Sequence, residues 1–406
     1  MSLQHGAYLL QGKIQPYAWG GYTYIKKWLG EVPDTHTPSA EYWLGAHPLA
    51  VSKLVTEQGL VGLDEALTVN KEAVLGKRVV QAFDTLPYLL KLLDVREMLS
   101  IQVHPTKAAA EAGFAAENEQ GIPQNAAHRN YKDANHKPEV MVALSEFWLL
   151  HGFKTPALLQ SVWEQFPVLQ PLADVFAKGG YQALYEMVMT MPMAEADALL
   201  NVLIADAMEA KAANVLTQHD PRWWVHKYYA NGAPAQNIDK GIFSIYLLNI
   251  VHVSPGEAVF QDAGILHAYL EGQNVELMAN SDNVLRGGLT PKHVDVPELM
   301  KHVRFEPVVP QVMRGDATMF GAVNYPCPVA DFGIDSVTMP ANGSYQGLTD
   351  SLEIWLVHEG AARVHLGSHY HFDVVGGQAF AVFAEQRFSI SSSQKTNLYR
   401  AFVPVV

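Results

Sequence analysis

The sequence Ser100-Ile101-Gln102-Val103-His104-Pro105 opens the stretch that decides the fold, and Tyr131-Lys132-Asp133-Ala134-Asn135-His136-Lys137-Pro138-Glu139 closes it. The aliphatic run at residues 89–95, just before this stretch, is too short for a typical helix and predicts a buried strand. If residues 99–104 are also extended, Gln102 and His104 point to one face, because side chains two apart on a strand share a side. An amide oxygen and an imidazole placed in this way can reach the same metal ion.

Two further ligands are predicted from more distant parts of the chain. Pro138 holds the segment before Glu139 stiff and extended, which makes this carboxylate a third ligand. A strand, turn and strand over residues 255–272 return His267 to the same sheet as the fourth. The resulting set of two imidazoles, one carboxylate and one amide oxygen suits Zn²⁺ and leaves a position for water or substrate. The predicted metal ligands are Gln102, His104, Glu139 and His267.

The chain alternates between strand-like and helix-like regions. Thr155 followed by Pro156 is a helix start signal, and apolar residues then recur at spacings of three and four as far as residue 216. Residues 241–253 predict a strand, and residues 316–406 predict an all-β module of short alternating strands. We therefore predict a mainly β protein with a catalytic domain formed by residues 1–154 and 240–315, an inserted helical domain at 155–239 and a C-terminal β domain at 316–406.

Composition narrows the classes of function. The chain has 406 residues with 41 acidic and 28 basic side chains, and its formal charge of −13 argues against nucleic acid or an anionic membrane as partner. Cys327 is the single cysteine, which excludes an internal disulfide and a thiolate zinc site. A reducing cytoplasm is the predicted compartment, since the N-terminus has no apolar core of signal-peptide length.

Several motifs in this order resemble the type I mannose-6-phosphate isomerase family, over roughly residues 10–300. They are Gln15-Pro16-Tyr17-Ala18-Trp19-Gly20, Ala40-Glu41-Tyr42-Trp43-Leu44-Gly45-Ala46-His47-Pro48, Leu99-Ser100-Ile101-Gln102-Val103-His104-Pro105, His136-Lys137-Pro138-Glu139, Pro255-Gly256-Glu257-Ala258, His267-Ala268-Tyr269-Leu270, and Asn280-Ser281-Asp282-Asn283-Val284-Leu285-Arg286-Gly287-Gly288-Leu289-Thr290-Pro291-Lys292. Two departures are mild: Gly287 stands where the family usually has Ala, and Tyr42 replaces a commoner aliphatic residue. Neither removes a polar group.

The resemblance implies a cupin-like β-sandwich or jelly-roll catalytic domain, an inserted helical domain and a C-terminal jelly-roll-like module. It also implies one zinc ion per chain, bound by the four ligands above. The implied activity is the interconversion of mannose 6-phosphate and fructose 6-phosphate by proton transfer between C1 and C2 through an enediol. Such a reaction needs an acid–base group and positive charge beside the developing oxyanion. The small-molecule phosphosugar is the only partner expected, and we expect a monomer.

The remaining site residues are assigned by role. Arg286 is the residue that the family regards as catalytic, and Lys137, beside a ligand, is a possible base or ring-opening acid because a nearby dication favours its neutral form. His136 is a second acid–base candidate, although a hydrogen-bonded loop histidine is the commoner case. The full catalytic set is Arg286, Lys137, His136, Glu276 and Asp282. The predicted substrate-binding residues are Ser100, Lys91, Lys292 and Glu41.

Two other functions and a second metal site fit these residues less well. A non-catalytic sugar-binding or regulatory cupin is the alternative function, but it would be expected to lose a ligand or Arg286. An iron-dependent cupin oxygenase or epimerase is disfavoured, because the predicted ligand set contains a glutamine in addition to the two histidines and one carboxylate that such iron sites use. A second metal site in the C-terminal module is less expected than exposed strand histidines. The residues in question are His365, His369 and His371. Tyr17, Trp19 and Trp43 are expected to pack the sandwich.

Overall fold

The computed structural model describes residue 3, residues 5–318 and residues 321–405. Strands β1 to β13 are Ala7–Gln11, Lys13–Gln15, Glu41–Leu44, Lys53–Thr56, Gly59–Gly62, Tyr88–Val95, Gln102–Val103, Glu139–Ala143, Phe147–Phe153, Leu248–Val253, Ala258–Gln261, His267–Ala279 and Leu285–Arg286. Strands β14 to β23 are Asp316–Ala317, Ala322–Tyr325, Gly333–Met339, Ser344–Leu348, Glu353–Glu359, Ala361–Leu366, Tyr370–Val375, Ala379–Val382, Arg387–Ser392 and Thr396–Phe402. Within the described ranges these strands form sheets of ten, nine and four strands. The fold is therefore mostly β with some helices, as predicted.

Strand β12 organises the ten-stranded sheet. Its second half pairs with β6 on one side and β8 on the other, and its first half pairs with β9 and β7, so one 13-residue strand joins four neighbours. The register shifts between Tyr269 and Glu271, which marks a β-bulge between the two halves. Strand β6 is buried along its whole length, which confirms the strand predicted from its aliphatic run.

The nine-stranded sheet joins the two ends of the chain. It has the order β14-β15-β16-β23-β18-β21-β1-β4-β5, and Ala7 on β1 lies opposite Val382 on β21. One core cluster contains residues from this sheet and from the ten-stranded sheet, so the two pack face to face. Another cluster connects the nine-stranded sheet with the four-stranded sheet, whose order is β17-β22-β19-β20. Strands from the N-terminal segment thus pair with strands from beyond residue 316.

Most of the helical residues lie between β9 and β10. Helices α1 to α11 are Tyr24–Trp28, Leu63–Val69, Lys71–Leu75, Lys77–Phe83, Lys107–Glu119, Pro156–Gln165, Gln170–Thr190, Met193–Ala212, Pro221–Tyr228, Gly241–Leu247 and Val296–His302, with a 3₁₀ turn at Pro167–Leu169. The Thr155 side chain accepts a hydrogen bond from the Leu158 amide and Pro156 is the first residue of α6, as the start signal predicted.

The strand predicted over residues 241–253 is wrong in its first half. Residues Gly241–Leu247 form α10 and only Leu248–Val253 form β10. Every residue of α10 is buried, so the apolar run shows no periodicity that separates a buried helix from a buried strand. No single helix in the described residues combines the length and apolarity needed to cross a bilayer. The consecutive helices Pro167–Thr190 and Met193–Ala212 reach that length and apolarity only when taken together, and they are bent by 102° relative to each other.

Candidate metal centre and active site

Three of the four predicted ligands meet in the ten-stranded sheet. His104 Nε2 lies 3.5 Å from Glu139 Oε1, and His267 Nε2 lies 3.5 Å from Glu139 Oε2. All three residues are buried, and one candidate ligand atom from each lies within 4.8 Å of the others. The fourth, Gln102, is on β7 directly opposite His267 on β12. These four residues are called the metal cluster below.

The backbone fixes the orientation of both imidazoles. His104 Nδ1 lies 2.8 Å from the carbonyl oxygen of Asn283, and His267 Nδ1 lies 2.9 Å from that of Ile265. A carbonyl oxygen can only accept, so each Nδ1 carries the hydrogen and each Nε2 keeps its lone pair toward Glu139. This is the tautomer that a metal ion requires from a histidine ligand.

The residues present fit a zinc ion. His104 Nε2 is buried and has no hydrogen-bond partner in the described part of the chain, which is costly for a polar atom unless a ligand occupies the site. Burial lowers the pKa of His104 to about 4, so the imidazole is neutral. Two neutral imidazoles with one carboxylate and an amide oxygen form a donor set suited to a borderline cation.

The carboxylate of Glu139 is held in its charged form. Burial alone would raise its pKa, but the neighbouring Lys137 ammonium holds the pKa well below its usual range. Lys137 Nζ lies 2.9 Å from Glu139 Oε1. Glu139 therefore presents a charged oxygen to the two imidazoles.

A second group of buried charges lies in the same pocket. Lys91 Nζ lies 3.3 Å from Glu41 Oε2 and 3.1 Å from Glu276 Oε2, while the Tyr269 hydroxyl donates to Glu276 Oε1 at 2.8 Å. Burial opposes the charge of Lys91, but the two carboxylates raise its pKa. The pocket is lined by Glu41, Lys91, Leu93, Leu99, Gln102, Lys137, Glu139, His267, Tyr269 and Glu276. The pocket is thus rich in hydrogen-bonding groups with fixed charges.

Comparison with known proteins agrees with this geometry. A family model, phosphomannose isomerase type I, catalytic domain, matches residues 8–156. The mannose-6-phosphate isomerase of Salmonella typhimurium is 41% identical over 329 residues, covering 80% of this chain and 81% of that protein. Its Escherichia coli counterpart is 39% identical over 334 residues, covering 80% and 81%. The chain belongs to the type I phosphomannose isomerase family.

Solved structures of the family share the whole architecture. A crystal structure of mannose 6-phosphate isomerase from Salmonella typhimurium, bound to its substrate fructose 6-phosphate and to zinc, has a TM-score of 0.88. It is 34% identical and covers 98% of this chain and 100% of that one. A zinc-bound holo structure of mannose 6-phosphate isomerase gives the same TM-score, identity and coverage.

Arg286, which the sequence predicted to be catalytic, lies beside the metal cluster. It is on β13, directly opposite Gln102 on β7, and the next residues are held by Asp239, which accepts hydrogen bonds from the amides of Leu289 and Thr290. Within the described residues no carboxylate oxygen lies within 4.0 Å of its guanidinium, and burial lowers its pKa. A half-buried cation without a carboxylate partner is suited to an anionic ligand.

The departure from the family at Gly287 has a structural reason. A Cβ atom built at this position would collide with the hydroxyl of Tyr185 and would lie 3.2 Å from Cγ2 of Ile101. Tyr185 is fully buried in the core cluster that contains the helical block. A glycine beside Arg286 therefore accommodates the tyrosine that packs behind the strand.

Other predicted residues lie outside the pocket wall. His136 Nε2 lies 3.1 Å from both carboxylate oxygens of Asp331, which places this imidazole against the C-terminal region. Asp282 pairs with His47, whose Nε2 is 3.3 Å from Asp282 Oδ2. Ser100 is half-buried between the strands β6 and β7. Two residues of the predicted catalytic set, Lys137 and Glu276, line the pocket.

Two residues were missed by sequence reasoning. Tyr269 lies two residues beyond His267 on β12, a spacing that places both side chains on one face. Lys132 is the second. Burial lowers the pKa of its ammonium, and the nearby positive charges of Arg129 and Arg286 lower it further. The spacing to His267 could have identified Tyr269, whereas no sequence signal pairs Lys132 with Arg286.

The aromatic and C-terminal predictions have mixed outcomes. Trp43 is buried, but Tyr17 is 39% exposed, and its pKa is raised by burial and by the carboxylate of Glu41, a residue of the pocket wall. Tyr17 is thus not part of the sandwich core. His365 and His371 lie opposite each other on β19 and β20, with ring centroids 5.9 Å apart.

Proposed function

We propose that the chain is a zinc-dependent aldose–ketose isomerase that interconverts mannose 6-phosphate and fructose 6-phosphate. The observation that carries this proposal is the convergence of His104, Glu139 and His267, with a buried imidazole nitrogen that has no partner among the described residues. The zinc-bound and substrate-bound relative supports both the metal and the substrate. The alternative, a non-catalytic sugar-binding cupin, is not favoured, because all four ligands and Arg286 are present.

Gln102, His104, Glu139 and His267 would hold the zinc ion. When bound, zinc supplies a Lewis acid that polarises or orients the sugar oxygens at C1 and C2. The chain itself supplies orientation: Lys91 and Tyr269 fix the Glu276 carboxylate, which faces the same pocket. Glu41, on the other side of Lys91, is placed to accept hydrogen bonds from sugar hydroxyls.

Position favours Lys137 over His136 for proton transfer between C1 and C2. Lys137 is part of the pocket wall, whereas His136 faces Asp331. A catalytic acid or base must lie within hydrogen-bond reach of the atom that gains or loses the proton. We therefore keep Lys137 as the proton-transfer candidate and assign His136 to the contact with Asp331.

The phosphate is best placed against the cations around Arg286. Burial lowers the pKa of Lys292, and the positive charge of the nearby Arg286 lowers it further. Lys132 is the third member of this group. Lys91 was predicted as a phosphate ligand, but its charge is already balanced by Glu41 and Glu276. We infer that Arg286, Lys292 and Lys132 hold the phosphate, with Ser100 as a further donor.

We also infer the finer architecture from the family. The ten-stranded sheet would be the cupin-like catalytic jelly roll, α6 to α9 the inserted helical domain, and the strands after residue 316 the second jelly roll. The domain limits 1–154 with 240–315, 155–239 and 316–406 stay a prediction. Strand β1 pairs with β21 across the last of these limits, and β4 and β5 extend the same sheet. The monomeric state and the cytoplasmic compartment also stay predictions.

A coupled assay tests the proposed function. Purified protein is supplied with mannose 6-phosphate, and the appearance of fructose 6-phosphate is followed before chelation, after chelation and after zinc is added back. We expect activity that chelation abolishes and zinc restores. Isomerisation that persists in protein shown to be free of metal would exclude the zinc-dependent mechanism, and no isomerisation by zinc-loaded protein would exclude the function.

A further inference from the structure

A second buried polar pair lies in the same layer of the sheet as the metal ligands. His151 on β9 is directly opposite the ligand His267 on β12, and Gln261 on β11 is directly opposite the ligand Glu139 on β8. Residues opposite each other in antiparallel strands project from the same face, with Cβ atoms about 5 Å apart. His151 and Gln261 therefore face the same side as two of the metal ligands.

The two side chains hold each other. His151 Nδ1 lies 2.7 Å from Gln261 Oε1, and the residues are 6% and 0% exposed. Since an amide oxygen only accepts, the imidazole Nδ1–H is the donor, and the Gln261 amide group is oriented with its nitrogen away from the ring.

The amide nitrogen of Gln261 is left without a partner. Gln261 Nε2 is buried and makes no hydrogen bond within the described ranges of the chain. Two residues before each member of the pair stand Leu149 on β9 and Val259 on β11, and both belong to one core cluster with Met141, the residue opposite Val259 on β8. An unpaired amide donor in such surroundings destabilises the fold, because it has lost its hydrogen bonds to water without replacement. The unused Gln261 Nε2–H donor therefore indicates that an acceptor binds it in the functional state.

Glu139, the residue opposite Gln261, is a hydrogen-bond acceptor that would explain this arrangement. Its carboxylate contacts His104, His267 and Lys137, but two oxygens offer more acceptor positions than these contacts fill. Gln261 is the residue opposite it and has a free donor.

We propose that Gln261, oriented by His151, is a positioning residue for the metal centre. In the zinc-loaded protein its Nε2–H donates to the Glu139 carboxylate and fixes which oxygen faces the metal. This inference rests on the proposed zinc site. Hydrogen bonds of this kind to metal-binding residues typically change metal affinity by about 10- to 100-fold.

Zinc affinity of the purified, metal-free protein provides the test. The double variant His151→Phe/Gln261→Met removes both polar groups while keeping similar volumes, and Gln261→Met alone is the second variant. Zinc dissociation constants are measured by competition with a chromophoric chelator, and melting temperatures are measured without metal. The control is Gln273→Met, which breaks the 2.7 Å hydrogen bond from Gln273 to Asp94 on the opposite face of β12.

We expect the dissociation constant to rise about 10-fold in both variants and to stay unchanged in the control. The metal-free melting temperature of the double variant should stay within about 3 °C of the wild type, since removing both partners of a buried hydrogen bond is nearly neutral. A dissociation constant within twofold of wild type, or a rise matched by a large fall in the metal-free melting temperature, would overturn the inference. Failure of the wild type to bind zinc would instead overturn the proposed function.

Discussion

Two buried groups of charged side chains, both built on antiparallel sheets, differ in how their charges are balanced. The first is the metal cluster with the neighbouring Arg286. The second, called the arginine cluster, consists of Asp335, Glu353 and Arg400 in the nine-stranded sheet. Arg400 lies 3.2 Å from Asp335 Oδ2 and 3.3 Å from Glu353 Oε1, and it donates to the Tyr345 hydroxyl at 3.1 Å.

The arginine cluster is balanced in charge without a ligand, since each charged side chain has an opposite charge within 3.3 Å, although Arg400 Nε makes no hydrogen bond in the described residues. In the metal cluster, His104 Nε2 has no partner in the described residues, and the neighbouring Arg286 has no carboxylate within 4.0 Å there. Burial alone therefore does not identify a functional site. What distinguishes the metal cluster is the convergence of candidate ligand atoms from three buried residues within 4.8 Å of one another, beside a cation without a carboxylate partner.

The largest expected effect is the loss of one metal ligand. His104→Ala should lower kcat by about 1000-fold or more, because the zinc ion loses a ligand and the sugar oxygens lose their Lewis acid. The coupled assay and the zinc content of the purified variant measure this. Circular dichroism checks that the variant is folded. A variant that keeps one zinc per chain and a tenth of wild-type activity would contradict the ligand assignment.

The next effect concerns Arg286. Arg286→Met should lower kcat/KM by about 100- to 1000-fold while zinc content stays at one per chain, because the positive charge acts on substrate and not on the metal. Inhibition by inorganic phosphate should weaken in parallel. The matched control is Arg363→Met, which removes an exposed arginine paired with Asp373 on β20. Unchanged phosphate inhibition in the Arg286 variant would place the phosphate elsewhere.

A smaller effect is expected from the glycine beside Arg286. Gly287→Ala should lower kcat/KM by about 10-fold, since the added methyl group meets the Tyr185 hydroxyl and displaces β13. Removing that hydroxyl in the double variant Gly287→Ala/Tyr185→Phe should restore a large part of the activity. Equal activities of the single and double variants would show that this collision does not position Arg286.

The arginine cluster should affect stability and leave activity unchanged. Burial raises the pKa of Glu353 from its ordinary 4.5 to about 7, although Arg400 opposes the shift. The folded state therefore binds this proton more tightly than the unfolded state, so the contribution of Glu353 to stability is full below pH 4.5 and is lost as the pH rises through 7.

Glu353→Gln tests this contribution. The free energy of unfolding of the wild type, relative to the variant, should fall by about 3 kcal/mol between pH 4.5 and pH 7.5, with kcat unchanged at pH 7.5. Denaturant unfolding at several pH values measures the difference. A constant difference across this range, or a tenfold loss of kcat, would remove the distinction between the two clusters.

The sequence predicted what depends on local spacing. The metal ligands, the strand before Ser100, the Thr155-Pro156 helix start and the all-β C-terminal region all follow from short-range patterns and residue chemistry. The family motifs added the identity of the reaction. The helix start and the strand regions are encoded within stretches of a few residues, whereas joining His267 to the other ligands also required the predicted strand, turn and strand over residues 255–272.

What the sequence left open depends on strand register between distant segments. The pairing of β1 with β21, the contact of Lys91 with Glu276, and the pair His151–Gln261 each join residues more than 100 positions apart. The helix at Gly241–Leu247 was missed for a different reason, since a short, fully buried apolar run has no periodicity.

Anomalous diffraction at the zinc absorption edge, from crystals of the purified protein, tests the central claim most directly. We expect one peak per chain, bounded by Gln102, His104, Glu139 and His267, and no peak at the arginine cluster or at His365 and His371. A metal-loaded crystal with no peak among those four residues, or with its peak at another site, would contradict the assignment of the open cluster as the catalytic centre.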